Sequence, residues 1–562
     1  MIDRLNPIIV QGDKTILLEV ANEKYEMARD LLAGFAELEK SPEHIHSYRI
    51  TPLSLWNAAS SGITAGDIIK GLEEYSKYEI PENIRRDIID YISRYGRVKL
   101  INREGLLLLV SHDRALIAEI AGHKNIKPYI KEQVNETELL MNSAMRGHIK
   151  QALVLIGYPA EDLAGYIKGE DLSIKLLPLT KKGREFTLRH YQIEAAELFY
   201  AGGSHHGGCG TIVLPCGAGK TMVGMSVMDK LQCSTLILTP STVAVRQWIS
   251  ELLEKTSLSE DQIGEYSGLR KDIRPVTVST YQVMTYRKRK YNYNMEEEFP
   301  HFKLFNAREW GLIIYDEVHL LPAPVFRITA ELQSRRRLGL TATLIREDRR
   351  EGDVFSLIGP KKYDVPWKDL EKQGWIARAE CYEIRIHMSE EERLNYALAE
   401  GRDRYYMAAN NRLKISILEK LLKKHSADNL IIIGMYIGQL EYIASVYKFP
   451  IITGKTPVRE RERLFEQFRK EEIKILVVSK VGNFSIDLPD ANVIIEISGT
   501  FGSRQEEAQR LGRILRPKSG GAIAHFYTLV TRDTVDQDYA ANRQRFLTEQ
   551  GYKYNIFYDN EI

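Results

Sequence analysis

From residue 186 onward, short apolar runs rich in β-branched residues alternate with stretches whose apolar positions recur at helical spacing. The runs at 211–215, 235–239, 276–280, 312–316 and 337–341 predict strands, and a second set follows at 430–436, 450–453, 473–479, 492–498 and 522–530. Runs such as Leu312-Ile313-Ile314-Tyr315 are apolar throughout rather than alternating. That pattern suits parallel strands covered by helices on both faces. The chain therefore reads as α/β, with two doubly wound parallel-sheet lobes at 186–375 and 376–562.

Ahead of the lobes the pattern changes. Ile8-Ile9-Val10 and Thr15 to Val20 flank the turn signal Gly12-Asp13 and predict a hairpin. Tyr25, Ala28, Leu31, Leu32, Phe35 and Leu38 follow at helical spacing. Thr51-Pro52, an N-cap with proline at the first helical position, opens a helix ending near Gly62. Thr64 with Asp67, and then Pro81-Glu82, open two more. Arg97 to Ile101 and Leu106 to Val110 enclose Asn102-Arg103-Glu104-Gly105. Helices followed by a hairpin make residues 1–135 an α+β, winged-helix-like domain. Its recognition stretch is not conspicuously basic, which favours protein docking over DNA contact. Residues 140–185 form a small segment with a helix around Ile149, Ala152, Leu153 and Ile156, then a predicted strand at Leu172 to Leu177.

Composition narrows the class. The 562 residues suggest roughly three or four domains. A net charge of +2 leaves no global basic field, so any nucleic-acid contact must come from local patches. Arg287-Lys288-Arg289-Lys290, between Tyr286, Tyr291 and Tyr293, is the strongest such patch; Glu296-Glu297-Glu298 nearby leaves it equally readable as a solvated loop. Four cysteines imply no disulfide framework and a reducing compartment. No stretch of about 18 apolar residues and no signal-like N-terminus is present, so no membrane association and a cytoplasmic location are expected. His205-His206-x-x-Cys209 sits among glycines and reads as a loop rather than a metal site.

The chemistry starts at Leu214-Pro215-Cys216-Gly217-Ala218-Gly219-Lys220-Thr221, between a strand and a helix. Such a turn aims backbone N–H groups and a helix N-terminus at an anion; Lys220 adds a charge and Thr221 a hydroxyl suited to Mg²⁺. Asp316-Glu317-Val318-His319 ends another strand, where open α/β sheets place ligands. Two adjacent carboxylates there need cationic company: Asp316 suits Mg²⁺ and Glu317 the attacking water. Arg189 and Gln192 open the preceding helix and suit an adenine ring. Thr341-Ala342-Thr343 follows a strand and offers hydroxyls to the acidic pair. In Gln509-Arg510-Leu511-Gly512-Arg513-Ile514-Leu515-Arg516 the arginines recur along roughly one helix face. Arginines gathered in this way fit a γ-phosphate reached from the second lobe.

These motifs in this order resemble a superfamily 2 helicase of the DEVH-box type. Arg346-Glu347-Asp348, Ser479-Lys480-Val481-Gly482 with Asp487-Leu488-Pro489, Gly502-Ser503-Arg504, Gln544-Arg545-Phe546-Leu547, and the N-terminal His44-x-His46-x-Tyr48 resemble the XPB helicases in particular. The acidic linker of eukaryotic relatives is missing, and Arg349-Arg350 stands where they are more acidic, so the likeness is to bacterial or archaeal forms. The resemblance implies RecA-like lobes, a damage-recognition-like domain at 140–185 and a thumb-like insertion at about 388–412. It implies ATP bound by Arg189, Gln192, Pro215, Cys216, Gly217, Ala218, Gly219, Lys220 and Thr221. Mg²⁺ would be held by Thr221 and Asp316, partly through water, and catalysis carried by Lys220, Asp316, Glu317, Gln509, Arg513 and Arg516. For DNA it implies Arg246, Thr280, Tyr281, Arg346, Glu347, Asp348, Ser479 and Lys480, with Arg402, Arg404 and Arg412 beside Tyr405 and Tyr406 in the thumb. The activity implied is 3′–5′ DNA unwinding in repair, nucleotide excision repair included, by a monomeric unit with a nuclease or other repair protein as partner. Two rival readings share the nucleotide motifs: a nucleotide-gated translocase or clamp that remodels a complex with little strand separation, and an RNA-dependent ATPase.

Overall fold

The computed structural model describes residues 3–41, 44–204, 206–215, 217–268, 270–287, 299–333, 335–343, 351–365, 367–479, 491–501, 507, 510–512, 514–515 and 523–562, without the side chains of Arg327, Val458 and Phe546. Its first sheet is antiparallel and contains β1 (Ile8–Val10), β2 (Thr15–Glu19), β3 (Glu37–Lys40) and β4 (Ile45–Arg49) in the order β1-β2-β4-β3. The helices Pro52–Ser60 and Ala65–Tyr75 start where threonines predict them. Thr51 and Thr64 each cap the backbone N–H three residues on, and Ser54 and Asp67 return the bond. Ile68, Leu72, Ile84 and Ile88 bury the inner faces of the helices in this domain's core.

The hairpin expected as a wing belongs to a different sheet. β5 (Lys99–Arg103) and β6 (Leu106–Val110) join β7 (Ile130–Asn135), β8 (Glu138–Met141) and β9 (Glu161–Leu163) in the order β7-β8-β6-β5-β9. One sheet thus spans the 135–140 junction. Leu107, Leu108 and Leu109 are all buried, and a hairpin that apolar needs cover and paired edges. Arg146 and Lys150, on the helix Arg146–Leu155, both pair with buried Asp162 in the middle of β9, at 2.5 and 3.0 Å. Lys150 also donates to Gln333 of the first lobe at 2.8 Å.

Leu172 to Leu177 is not a strand of any sheet. It lies as a strap on the first lobe, touching it through isolated bridges at Asp171–Cys233 and Leu176–Thr256. The N–H groups of Leu172 and Ile174 bond the backbone carbonyl and side-chain oxygen of Gln232, and both side chains enter the lobe's core. The apolar alternation read there reflects docking onto a helix end, not ladder pairing.

The first lobe contains β10 (Cys209–Val213), β11 (Thr235–Thr239), β12 (Ile263–Tyr266), β13 (Val276–Thr280), β14 (Leu312–Asp316), β15 (Arg336–Thr341) and β16 (Lys361–Asp364). They are parallel, in the order β12-β13-β11-β14-β15-β10-β16. The second contains β17 (Ala379–Ile386), β18 (Leu430–Gly434), β19 (Ile451–Ile452), β20 (Ile475–Ser479), β21 (Val493–Glu496), β22 (Ala524–Thr531) and β23 (Tyr554–Tyr558), parallel in the order β19-β20-β18-β21-β22-β17-β23. Both are RecA-like doubly wound lobes. Residues 388–412 fold largely into two helices, Glu390–Leu398 and Gly401–Ala409.

The N-terminal domain touches both lobes. Asn57 and Ser61 hydrogen-bond the backbone of Lys361 on β16 at 3.0 and 2.9 Å. On the other side Lys553 lies 5.0 Å from the Tyr25 ring centre, and Glu26 pairs with Lys372 at 2.9 Å. Arg29, fully buried, packs so tightly on Gly551 that a Cβ there would clash with its guanidinium.

Candidate active site

β14 and β10 flank β15, so their C-terminal ends open on the same edge with the end of β15 between them. After β10 the chain turns through Gly217 and Gly219, at φ +82° and +80°, into the helix Lys220–Leu231. Those left-handed angles require glycine, and a Cβ on Gly219 would lie 2.5 Å from the Gln192 amide nitrogen. Two donors from the helix His190–Tyr200 grip the loop at the Ala218 carbonyl: Tyr191 Oη at 2.7 Å and Gln192 Nε2 at 2.8 Å. Gln192 Oε1 accepts from the Arg189 N–H at 3.0 Å. Both ends of this amide are thus engaged within the protein, and its nitrogen helps hold the loop. Arg189 stacks 4.7 Å from the Trp375 ring centre and bonds the Trp375 carbonyl, where the chain passes between the lobes. Pro215 is buried, and Thr221 is half-buried in the first helical turn.

Opposite the loop, Lys220 Nζ pairs with Glu317 Oε1 at 3.2 Å, both side chains largely out of solvent. Glu317 occupies a left-handed backbone position, φ +51°, which turns it off the strand axis beside Asp316. Burial works against its charge, but Lys220, His319 and the Ala342 N–H together hold its carboxyl below the ordinary glutamate value. Asp316 goes the other way. Burial and then the Glu317 charge push its carboxyl up to about 6, against the pull of the Trp248 indole and Lys220. His319 Nδ1 meets Thr341 Oγ1 at 2.6 Å, and Thr341 Oγ1 also joins the Thr343 backbone. The Leu214 N–H bonds the Thr341 carbonyl at 3.0 Å. The threonine tripeptide is therefore the physical joint between loop and acidic pair.

The set of donors suits a phosphate-bound divalent ion. Two buried carboxylates, one resisting ionisation, are short of positive charge, and a helix N-terminus with a lysine faces them. Among the described residues no cluster of three or more His, Cys, Asp or Glu could hold a metal alone. That leaves hydroxyl, water and phosphate oxygens to complete a Mg²⁺ shell.

The other expected residues divide. Cys216, Arg346, Glu347, Asp348, Lys480, Gln509, Arg513 and Arg516, and most of the 287–293 patch, lie outside the described residues. Arg246 is exposed and pairs across the lobes with Glu462 at 2.9 Å. Arg402, Arg404 and Arg412 are exposed, and Arg404 covers the Tyr396 ring. Tyr406 is exposed, whereas Tyr405 is buried and donates to the Gly499 carbonyl, so it offers no stacking face. Tyr281 is buried too, its hydroxyl donating to the Asp316 carbonyl at 2.9 Å, and Thr280 spends its side chain capping Val283. Ser479 is buried at the end of β20. Of these three, Tyr281 is the one bonded to the acidic pair. Arg510, grouped by spacing with Arg513 and Arg516, turns into the lobe and pairs with buried Glu496, which Arg543 also contacts at 3.0 Å.

A family model described as the ERCC3/RAD25/XPB C-terminal helicase matches residues 370–561. Residues 185–346 match the type III restriction enzyme res subunit, and residues 8–135 a helicase conserved C-terminal domain. A DNA 3′-5′ helicase XPB from Mycobacterium tuberculosis is 54% identical over 98% of this chain and 97% of its own length. The chain belongs to the XPB helicase family. Another XPB, from Kineococcus radiotolerans, is 53% identical over 99% of this chain and 97% of its own. The XPB subunit of general transcription and DNA repair factor IIH from Enterocytozoon bieneusi is 34% identical, covering 99% and 94%. The largely buried Lys220–Glu317 pair joins the helix that follows β10 to the end of β14. Spacing alone did not reveal Trp248, Glu496 or Arg543, because each acts from a separate element through a tertiary contact.

Proposed function

We propose that this protein is an ATP-dependent DNA helicase and translocase of repair, moving 3′ to 5′. The observation that carries this reading is the Lys220–Glu317 ion pair set between a glycine-held phosphate loop and Asp316. A triphosphate seated on the loop takes over the Lys220 ammonium and leaves Glu317 to accept a hydrogen bond from water. As the water oxygen bonds to the γ-phosphorus, Glu317 takes its proton and the bond to the β-phosphate oxygen breaks, giving ADP and phosphate. Thr221 and Asp316 would hold Mg²⁺, which offsets phosphate charge when bound. Arg513 and Arg516 would reach the γ-phosphate from the second lobe, so hydrolysis and lobe closure accompany each other. His319, Thr341 and the Ala342 N–H link Glu317 to the strand end between loop and acids, and so pass the state of the site to the lobe.

Arg246, Arg402, Arg404 and Arg412 would contact DNA phosphates, which implies little sequence preference. A repair nuclease is the expected kind of partner. ATP turnover is to be measured with duplex DNA, single-stranded DNA and RNA. Stimulation by DNA is expected, and stimulation by RNA alone would refute the reading. Glu317→Gln is expected to abolish hydrolysis while retaining ATP binding; turnover like that of the wild type would remove Glu317 from its role.

A further inference from the structure

We infer that Trp248 is a positioning residue for Asp316, tying the helix that carries Arg246 to the metal-binding carboxylate. This inference rests on the nucleotide reading of the site given above. Trp248 lies on the helix Thr242–Lys255, two residues beyond exposed Arg246, and is itself buried. Its indole Nε1 donates to Asp316 Oδ2 at 2.9 Å. The ring crosses to the phosphate-loop helix as well. A Cβ at Gly224 would lie 2.6 Å from the Trp248 ring, and Ile314 of β14 closes the same slot. Glycine at 224 is thus the space into which the indole fits.

A buried carboxylate rotates easily unless donors fix it, and an N–H to a charged oxygen is among the stronger fixings. Here the donor comes from neither the loop nor β14 but from a third element. That element bears Arg246, whose guanidinium meets Glu462 of the second lobe and stands on the expected DNA path. Tyr281, at the end of β13, holds the Asp316 carbonyl from the same side. A shift of the Arg246 helix as DNA or the second lobe engages it therefore moves the indole against Asp316. Trp248 couples the polymer track to the metal site through one hydrogen bond.

The test is Trp248→Phe in the full chain, which keeps an aromatic ring in the slot and removes the donor. Affinity for a fluorescent ATP analogue in EDTA is expected to stay within about twofold of the wild type. The Mg²⁺ concentration for half-maximal turnover is expected to rise about ten-fold, the loss expected for one hydrogen bond to a charge. The ratio of turnover with duplex DNA to turnover without it should fall. A packing role alone would lower the melting temperature and leave the Mg²⁺ requirement and the DNA ratio unmoved; that outcome overturns the inference. Independently, one of the five tryptophan indole N–H resonances should move when Mg²⁺ and ADP are added to the wild type, and not with ADP alone. Asp316→Asn should shift that same signal, which identifies it even if Trp248→Phe does not fold. An indole spectrum indifferent to Mg²⁺ and to Asp316→Asn likewise overturns it. Lys220→Ala separates the two levels. Hydrolysis that survives Lys220→Ala defeats the nucleotide reading itself, whereas a dead Lys220→Ala beside a wild-type-like Trp248→Phe defeats only the role of Trp248.

Discussion

Asp162 shows what single residues do in this protein. It accepts from two cations, Arg146 and Lys150, and all three side chains are almost wholly buried. Removing one partner of such a group leaves an uncompensated buried charge, at a cost of about 3–5 kcal/mol. Asp162→Ala is therefore expected to lower the thermal midpoint of the full chain far more than a surface Asp→Ala, checked by calorimetry. At this scale the candidate site was largely legible. Lys220, Thr221, Asp316 and Glu317 occur in short motifs whose chemistry can be read from residue type and spacing. Illegible were residues whose partners are distant in sequence: Trp248 to Asp316, Arg510 to Glu496, Gln192 to Ala218. The motif fixes that a glutamine stands at 192, but only the fold discloses that its amide is spent on the loop.

Among the elements, the turn into the helix Lys220–Leu231 is the most constrained. Gly219 combines φ +80° with the close Gln192 amide. A side chain there costs about 1–2 kcal/mol in backbone strain alone, before the clash is counted. Gly219→Ala should weaken binding of an ATP analogue at least ten-fold by fluorescence titration, while circular dichroism stays unchanged. Element prediction succeeded where patterns were extreme. The almost wholly buried, β-branched-rich β11, β13 and β14 stood out, and so did the capped helices after Thr51 and Thr64. It failed where burial was one-sided. β16 is the polar run Lys361 to Asp364, and β17 interrupts its apolar positions with Glu383 and Arg385, which pair with each other. Leu172 to Leu177 erred the other way: its alternation came from docking on the Gln232 helix end.

For the whole molecule, the second lobe is pinned by a buried charge cluster. Glu496 is held down to about 2, against burial, by Arg510 and Arg543. Glu507 is pushed up to about 8 by burial and by Glu496, with Arg543 and Arg510 opposing, and the Tyr554 hydroxyl donates to it. A carboxyl raised on folding contributes stability that is full below the ordinary glutamate value and lost as pH rises through about 8. The thermal midpoint should therefore fall as pH rises from about 5 to about 8, and fall less in Glu507→Gln, which mimics the protonated form. By contrast the exposed Arg246–Glu462 pair is worth at most about 1 kcal/mol, so it does not by itself hold the lobes together. DNA affinity, which we propose rests on exposed arginines, should drop steeply with added salt.

The contact of Arg29 with Gly551 has a consequence for how the chain is made. A ribosome delivers the N-terminal domain more than five hundred residues before the segment that covers its buried guanidinium. Through that interval the Arg29 guanidinium has Asp30 as its ion-pair partner but lacks the cover that Gly551 gives it. A chain broken off before residue 551 would leave that side chain without its cover, and without residues 554–558 it would also leave β17 lacking an edge partner. Residues 551–558 thus close both a face of the first-made domain and one edge of the second lobe's sheet.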